Sequence, residues 1–319
     1  MFARELQEAG NIIGLGMECE TDMVNDGKMK VRRNGAQTET LSVEAVRSND
    51  FPTLVEKKYP DFILLAVRNP VSEAVKFYYR QLQGRDKFPA LVISQNGLSV
   101  IDDSRAALKE ALGQDANKVS IIRVSLINGI DAKIENGAMT VSYKLPIKLG
   151  LGVSEGLESA ADDLAAIFKE SGFKAQKFQG SDVFKMENSK LFTNLIGMAA
   201  AVNGVTVSTG FQDKKIFKQE VAMLKEYVLA VKAGDSGFVG DFAGYPIKFL
   251  ARIMLLPVSL LAPIRGIFER VVVKGRNRPK DLSEIDYYNG EAVKLGRKFK
   301  VATPVNEMIV AKAKEINKK

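Results

Sequence analysis

Residues 62–67 read FILLAV, residues 90–94 ALVIS and residues 120–125 SIIRVS. Each is a short, nearly continuous apolar run. Tyr59-Pro60-Asp61 leads into the first and Pro89 into the second. Between these two, Val71–Leu82 carries apolar residues at helical spacing, and Ser104–Leu112 does the same before the third run. A strand with one wet face alternates apolar and polar residues, whereas a strand covered by helices on both faces does not. Short apolar strands separated by helices therefore predict an α/β fold with a parallel sheet. Ligands of such sheets bind at the carboxyl ends of the strands. Here those ends are Arg68-Asn69-Pro70 and Gln95-Asn96-Gly97.

Outward from this centre, the patterns change. Lys28–Val43 alternates around Asn34-Gly35, a strong hairpin turn signal, and a second hairpin is predicted around Asn136-Gly137, ending near Pro146. Met1–Gly10 has Phe2, Leu6 and Ala9 at helical spacing, with Gly10 as its stop. From Leu157 onward the chain reads as mostly helical: Leu157–Ser171, about Glu187–Val202, and Lys214–Ala233. Another helix is expected to open near Ser283, with Asp286 completing an acidic variant of a capping box. A last one should start at Thr303-Pro304, an N-cap followed by proline. A domain boundary near residue 150 follows, giving a sheet domain over 1–150 and a helical domain over 151–319.

The 319 residues are 46% hydrophobic and 26% charged, an ordinary globular composition with room for two domains. Histidine is absent, which excludes Ser-His-Asp and Cys-His catalysis and every His-ligated metal site. Cys19 is the single cysteine, so no intrachain disulfide or cysteine metal cluster can form, and no metal is expected. That usage fits a reducing, cytoplasmic setting. The net charge is +8, which attracts anions. The basic residues are dispersed and no nucleic-acid motif accompanies them, so small anionic molecules are favoured over nucleic acid. Phe249–Ile264 (FLARIMLLPVSLLAPI) is apolar but short and carries Arg252. A buried helix pair or a contact with a second copy of the chain is expected there rather than a membrane span.

Two glycine runs imitate a phosphate-binding turn. Gly14-Leu15-Gly16 has Cys19 where a third glycine belongs. Gly150-Leu151-Gly152 with Gly156 lies after a strand and before the Leu157 helix, although a plain flexible connection accounts for it better.

Three segments resemble one family. Ser283-Glu284-Ile285-Asp286-Tyr287-Tyr288-Asn289-Gly290, continuing to Leu295-Gly296 and Thr303-Pro304-Val305-Asn306, resembles the signature of ketopantoate reductases (2-dehydropantoate 2-reductases). Ser189-Lys190-Leu191-Phe192-Thr193-Asn194 resembles that family's lysine and asparagine at i, i+4, and Gln95-Asn96-Gly97-Leu98 its turn after a strand. The resemblance implies a Rossmann-like domain binding NADPH, a helical domain, and hydride transfer to a 2-oxo acid in the cleft, as in pantothenate biosynthesis. It implies Lys190 as general acid, Glu284 as its partner or a substrate contact, and Asn194 and Asn96 as substrate-binding residues. Arg68, Gln95, Asn96 and Gly97 become cofactor-binding candidates. A lysine both stabilises a developing alkoxide and donates a proton, and no histidine competes for the task.

The pattern also departs from the family. Met1–Gly10 resembles the second half of the family's first helix, so the Rossmann-like domain is expected to be truncated, lacking its first strand and glycine turn. Asn11–Gly27 shows no strand ending in a basic residue. Arg32 and Arg33 are nearby candidates for a 2′-phosphate contact. Met198 stands where the family commonly has asparagine, and Val271–Arg276 lacks its serine motif. A degenerate homologue serving as a binding or interaction module is the alternative reading.

Overall fold

The protein is described by a computed structural model covering residues 1–8, 14–17, 28–35, 38–42, 44–47, 50–127, 129–135, 138–242, 244–272 and 279–318. The chain divides into two compact units. One is Met1–Gln95 with Ile101–Gly180; the other is Asn96–Val100 with Ser181–Lys319.

In the first unit, α1 (Phe2–Glu8) precedes β1 (Gly14–Met17), β2 (Lys28–Arg33), β3 (Glu39–Ser42), β4 (Glu44–Arg47), α2 (Phe51–Lys57), β5 (Phe62–Leu65), α3 (Ser72–Arg80) and β6 (Ala90–Ile93). There follow α4 (Val100–Leu112), β7 (Ile121–Leu126), β8 (Asp131–Glu135), β9 (Ala138–Tyr143), β10 (Lys148–Glu155), α5 (Glu158–Glu170) and β11 (Lys174–Lys177). The three apolar runs become β5, β6 and β7, parallel neighbours as expected. The sheet is five-stranded in the order β11-β10-β7-β6-β5, and it is mixed: β10 runs antiparallel to β7, and β11 is parallel to β10. The first unit thus extends past residue 150 and takes in α5 and β11.

Both predicted hairpins form, as β2–β3 and β8–β9, and β2 pairs in parallel with β9 to make a four-stranded sheet. Asn34 and Gly35 have φ of 52° and 75°, the left-handed pair that an Asn-Gly turn supplies cheaply. The Asn136-Gly137 turn lies outside the described residues. The helix predicted at the start is α1. Phe2 stacks on Phe168 and Phe173, with ring centroids 5.8 Å apart in each case, and Tyr143 donates to Glu5 Oε1 at 2.5 Å. These rings join Val92, Val124, Leu149, Leu151 and Leu164 in the core of this unit.

Neither glycine run makes a turn. Gly14–Met17 is β1, paired in parallel with β4, and Gly150-Leu151-Gly152 lies inside β10 between β7 and β11. The phosphate-turn reading of both, and the flexible-connection reading of the second, are therefore corrected. Glycine does not stop a strand whose neighbours on both sides pair with its backbone.

The second unit is helical: α6 (Ser181–Leu195), α7 (Met198–Val202), α8 (Val207–Gln212), α9 (Lys214–Ala233), α10 (Ile247–Ile253), α11 (Val258–Leu261), α12 (Arg265–Val272), α13 (Asn289–Lys298) and α14 (Pro304–Asn317). The helix expected over 187–202 is two helices, broken at Gly197, whose φ is 92°. Glu220 accepts from Gly197 N and Ala199 N and so satisfies the start of α7. The Phe249–Ile264 stretch falls within a helix pair, Ile247–Ile253 and Val258–Arg270, bent by 117°. Leu250, Met254 and Leu261 are buried there, while Phe249, Leu260 and Ile264 are exposed. Among the described residues no single helix is long and apolar enough to cross a membrane.

Two helix starts differ from expectation. Thr303 makes no side-chain cap; instead the Glu226 carboxylate accepts from Val305 N at 2.9 Å and Asn306 N at 3.0 Å. No helix opens at Ser283. Its amide donates to Asp281 Oδ1 in a turn, a 3₁₀ turn follows over Ile285–Tyr287, and α13 begins only at Asn289.

Candidate functional site

The carboxyl end of β6 is fixed from both sides. On one side, Gln95 Nε2 donates to the carbonyls of Leu65 and Val67, and Ser94 Oγ donates to Leu65 O as well. On the other, Arg123 of β7 donates from Nη1 to Ile93 O at 3.1 Å and from Nη2 to Gln95 O at 2.9 Å. Arg123 is 1% exposed. A buried guanidinium is costly unless its donors are met, and here both terminal nitrogens donate to main-chain carbonyls at the end of β6. Sequence reading missed it, although a lone charge inside the apolar run SIIRVS was the available signal. Gln95 has a structural task in this arrangement. Both of its N–H donors go to the backbone, which leaves its side chain none for a cofactor. Arg68, past the end of β5, is exposed.

The next residue opens the second unit, and there the polar side chains converge. Asn96 Nδ2 donates to Glu284 Oε2 at 3.1 Å and to Tyr288 Oη at 2.9 Å. Its Oδ1 accepts from Asn194 Nδ2 at 2.9 Å. Tyr288 Oη in turn donates to Glu284 Oε2 at 3.0 Å. Asn96, Asn194, Glu284 and Tyr288 therefore form one closed, half-buried network. Burial, then the charge of Glu284, push the Tyr288 hydroxyl above its usual value, so it remains a donor at every ordinary pH.

Local structure explains the convergence. Gly97 has φ 107°, and a Cβ there would lie 2.9 Å from Tyr287 Cδ1, so only glycine lets the Tyr287 ring close over this turn. Glu284 precedes the 3₁₀ turn instead of sitting in a helix's first turn. Its carboxylate is consequently used on Asn96 and Tyr288, not on first-turn amides. Asn194 is in the last turn of α6. Lys190, one turn earlier on the same helix, is half-buried, and its carbonyl accepts from Thr193 Oγ1.

The structure thus joins Asn96, Asn194 and Glu284, with Lys190 at i−4 from one of them. It leaves Arg68 and Gln95 in the first unit, with Gln95 spent internally. Arg33 pairs with Glu8 at 3.0 Å and Glu5 at 3.5 Å, and Arg32 donates to Thr38, so both 2′-phosphate candidates have partners within the protein. Met198 is buried in the helical core. Residues 273–276, where a serine motif was sought, lie outside the described residues, as does Cys19. Two site residues were not foreseen. Tyr288 stood unremarked inside a quoted motif. Lys280 belongs to no motif, yet its ammonium donates to the Asn194 carbonyl and lies 5.9 Å from the centroid of the Tyr288 ring.

Comparison with known proteins bears on the fold and on the C-terminal segment. Residues 277–317 match the model of the ketopantoate reductase PanE/ApbA C-terminal domain. The fold is that of a D-mandelate dehydrogenase solved with NADH and anilino(oxo)acetate, at 19% identity and TM-score 0.67, over 99% of this chain and 95% of that one. It is also that of the 2-dehydropantoate 2-reductase of Geobacter metallireducens, at 16% identity and TM-score 0.68, over 99% and 95%. A PanE/ApbA family ketopantoate reductase of Ralstonia eutropha gives 15% identity and TM-score 0.70, over 99% and 93%. No curated protein matches the sequence. The resemblance to ketopantoate reductases read from the sequence is borne out, by the family model over the C-terminal segment and by the fold over nearly the whole chain.

Proposed function

We propose that this chain reduces a 2-oxo acid of the 2-dehydropantoate kind to its 2-hydroxy acid, with NADPH as the hydride source. One observation carries the reading. Asn194 and Glu284 lie 98 and 188 positions beyond Asn96, and each is hydrogen-bonded to it. The sequence resemblance singles out each of them separately.

A reduced nicotinamide supplies the hydride when bound; everything else falls to the chain's own side chains. The carboxyl end of β6, clamped by Gln95 and Arg123, suits the nicotinamide end of such a cofactor. No glycine-rich cradle for its pyrophosphate is present among the described residues, because both glycine runs are strands. As the ketone carbon is reduced, its oxygen gains negative charge in the transition state. Lys190 stabilises that charge and delivers the proton. Asn194 and Asn96 offer amides to orient the substrate, and Glu284 accepts from the substrate hydroxyl or from the lysine. Tyr288 holds Glu284 in place for either task.

A second reading has its own observation. The conversion of both glycine runs into strands favours a homologue that keeps the fold and binds no dinucleotide. Titrating NADPH into the chain and following its oxidation with ketopantoate separates the two. Saturable binding and ketopantoate-dependent oxidation support the reductase. Binding of the oxo acid with no saturable response to NADPH supports the second reading.

A further inference from the structure

A 2-oxo acid makes two separate demands on cations. Its carboxylate is negative from the moment it binds and stays so throughout. Its carbonyl oxygen becomes negative only in the transition state. An ammonium committed to the carboxylate lowers ground state and transition state alike and adds nothing to turnover. A single lysine serving both demands serves the second badly.

The network around Asn96 already contains the Glu284 carboxylate, so a second carboxylate brought beside it is costly unless a cation meets it. Lys280 is a cation that the structure places there. It lies in the segment before the 3₁₀ turn and is half-buried. Its ammonium is held between the Asn194 main-chain carbonyl and the face of the Tyr288 ring. That carbonyl belongs to the last turn of α6, where the helix dipole favours positive charge. The ring face adds a cation–π attraction. Both contacts hold the ammonium beside Asn194 and Tyr288, two members of the network.

We propose that Lys280 binds the substrate carboxylate and so leaves Lys190 for the carbonyl oxygen. This rests on the reading of the site as one for 2-oxo acids. The ligand class follows from the chemistry: a small anion carrying a carboxylate next to an oxo group. A lysine that merely capped α6 would be indifferent to the charge of the ligand.

The test compares the wild type with Lys280→Met and Lys280→Arg, using ketopantoate and its uncharged primary amide. Lys280→Met should raise KM for the acid about 10- to 100-fold, with kcat within about threefold and KM for the amide unchanged. Lys280→Arg should recover most of the loss. An unchanged KM for the acid, or an equal rise for acid and amide, overturns the proposal. Calorimetric titration of oxamate, an unreactive anion of the same class, keeps the matter separate from catalysis. Binding by the wild type that is lost in Lys280→Met supports the carboxylate site even if no NADPH is turned over, which is the result that would defeat the reductase reading alone. Equal binding to both proteins, or none to the wild type, overturns the site.

Discussion

The glycine runs and the polar side chains around Asn96 meet opposite fates in the fold. The glycine runs at 14–16 and 150–152 are compact in sequence and imitate a motif, yet each is drawn into a strand and loses its turn. Asn96, Asn194, Glu284 and Tyr288 are scattered over the chain, yet they bond into one network. The difference is one of constraint. A glycine turn needs a backbone free to bend, and pairing removes that freedom, with one neighbour for β1 and two for β10. A polar network needs only that its members arrive together, and each bond lowers the cost of half-burying the next group.

Asn96→Ala removes the amide that donates to Glu284 and Tyr288 and accepts from Asn194 of α6. It should lower kcat/KM for a 2-oxo acid about 100-fold while the folded state persists. A loss under about threefold would make the network a structural one. Gly97→Ala adds a Cβ 2.9 Å from Tyr287 at a φ of 107°. It should cost roughly 2 kcal/mol of stability in urea unfolding, and a neutral result would show that Tyr287 yields easily.

Tyr288 makes the stability of the fold depend on alkaline pH. Burial and Glu284 raise its hydroxyl above the unfolded value of 10.0. The unfolded chain therefore releases this proton first as pH rises. The stability linked to it is complete below about pH 10 and is lost above that value. Tyr79 and Tyr227, raised by burial, act in the same sense. Tyr288→Phe should make the alkaline loss of stability shallower by up to about 1 kcal/mol per pH unit, and identical slopes in the two proteins would remove Tyr288 from this role. The smallest effect belongs to the glycine runs. Gly150→Ala should leave NADPH affinity within about twofold, and a tenfold loss would return this strand to the phosphates.

Much of the fold was legible because its rules are local. Fully apolar runs gave β5, β6 and β7, Asn-Gly gave the first hairpin, and Lys214–Ala233 was read at its observed limits. The break at Gly197 was missed because the apolar spacing on its two sides continues one helix's phase. The antiparallel β10 was missed because strand direction is set by the chain's return path, which local composition does not record. Within the site, Asn96, Asn194 and Glu284 were legible through resemblance. Lys280 was not, since it acts on a main-chain carbonyl and such a partner leaves no trace in side-chain pattern, whereas Arg123 left only the signal of a lone charge inside an apolar run.

In the proposed reaction, an ammonium on α6 protonates the oxygen of the reduced ketone beside this network. The decisive comparison is the turnover of NADPH with ketopantoate in wild type and Lys190→Ala. Saturable oxidation by the wild type is expected, with a kcat lower by about a thousandfold in the variant and ketopantoate still bound. Equal turnover in the two proteins would contradict it.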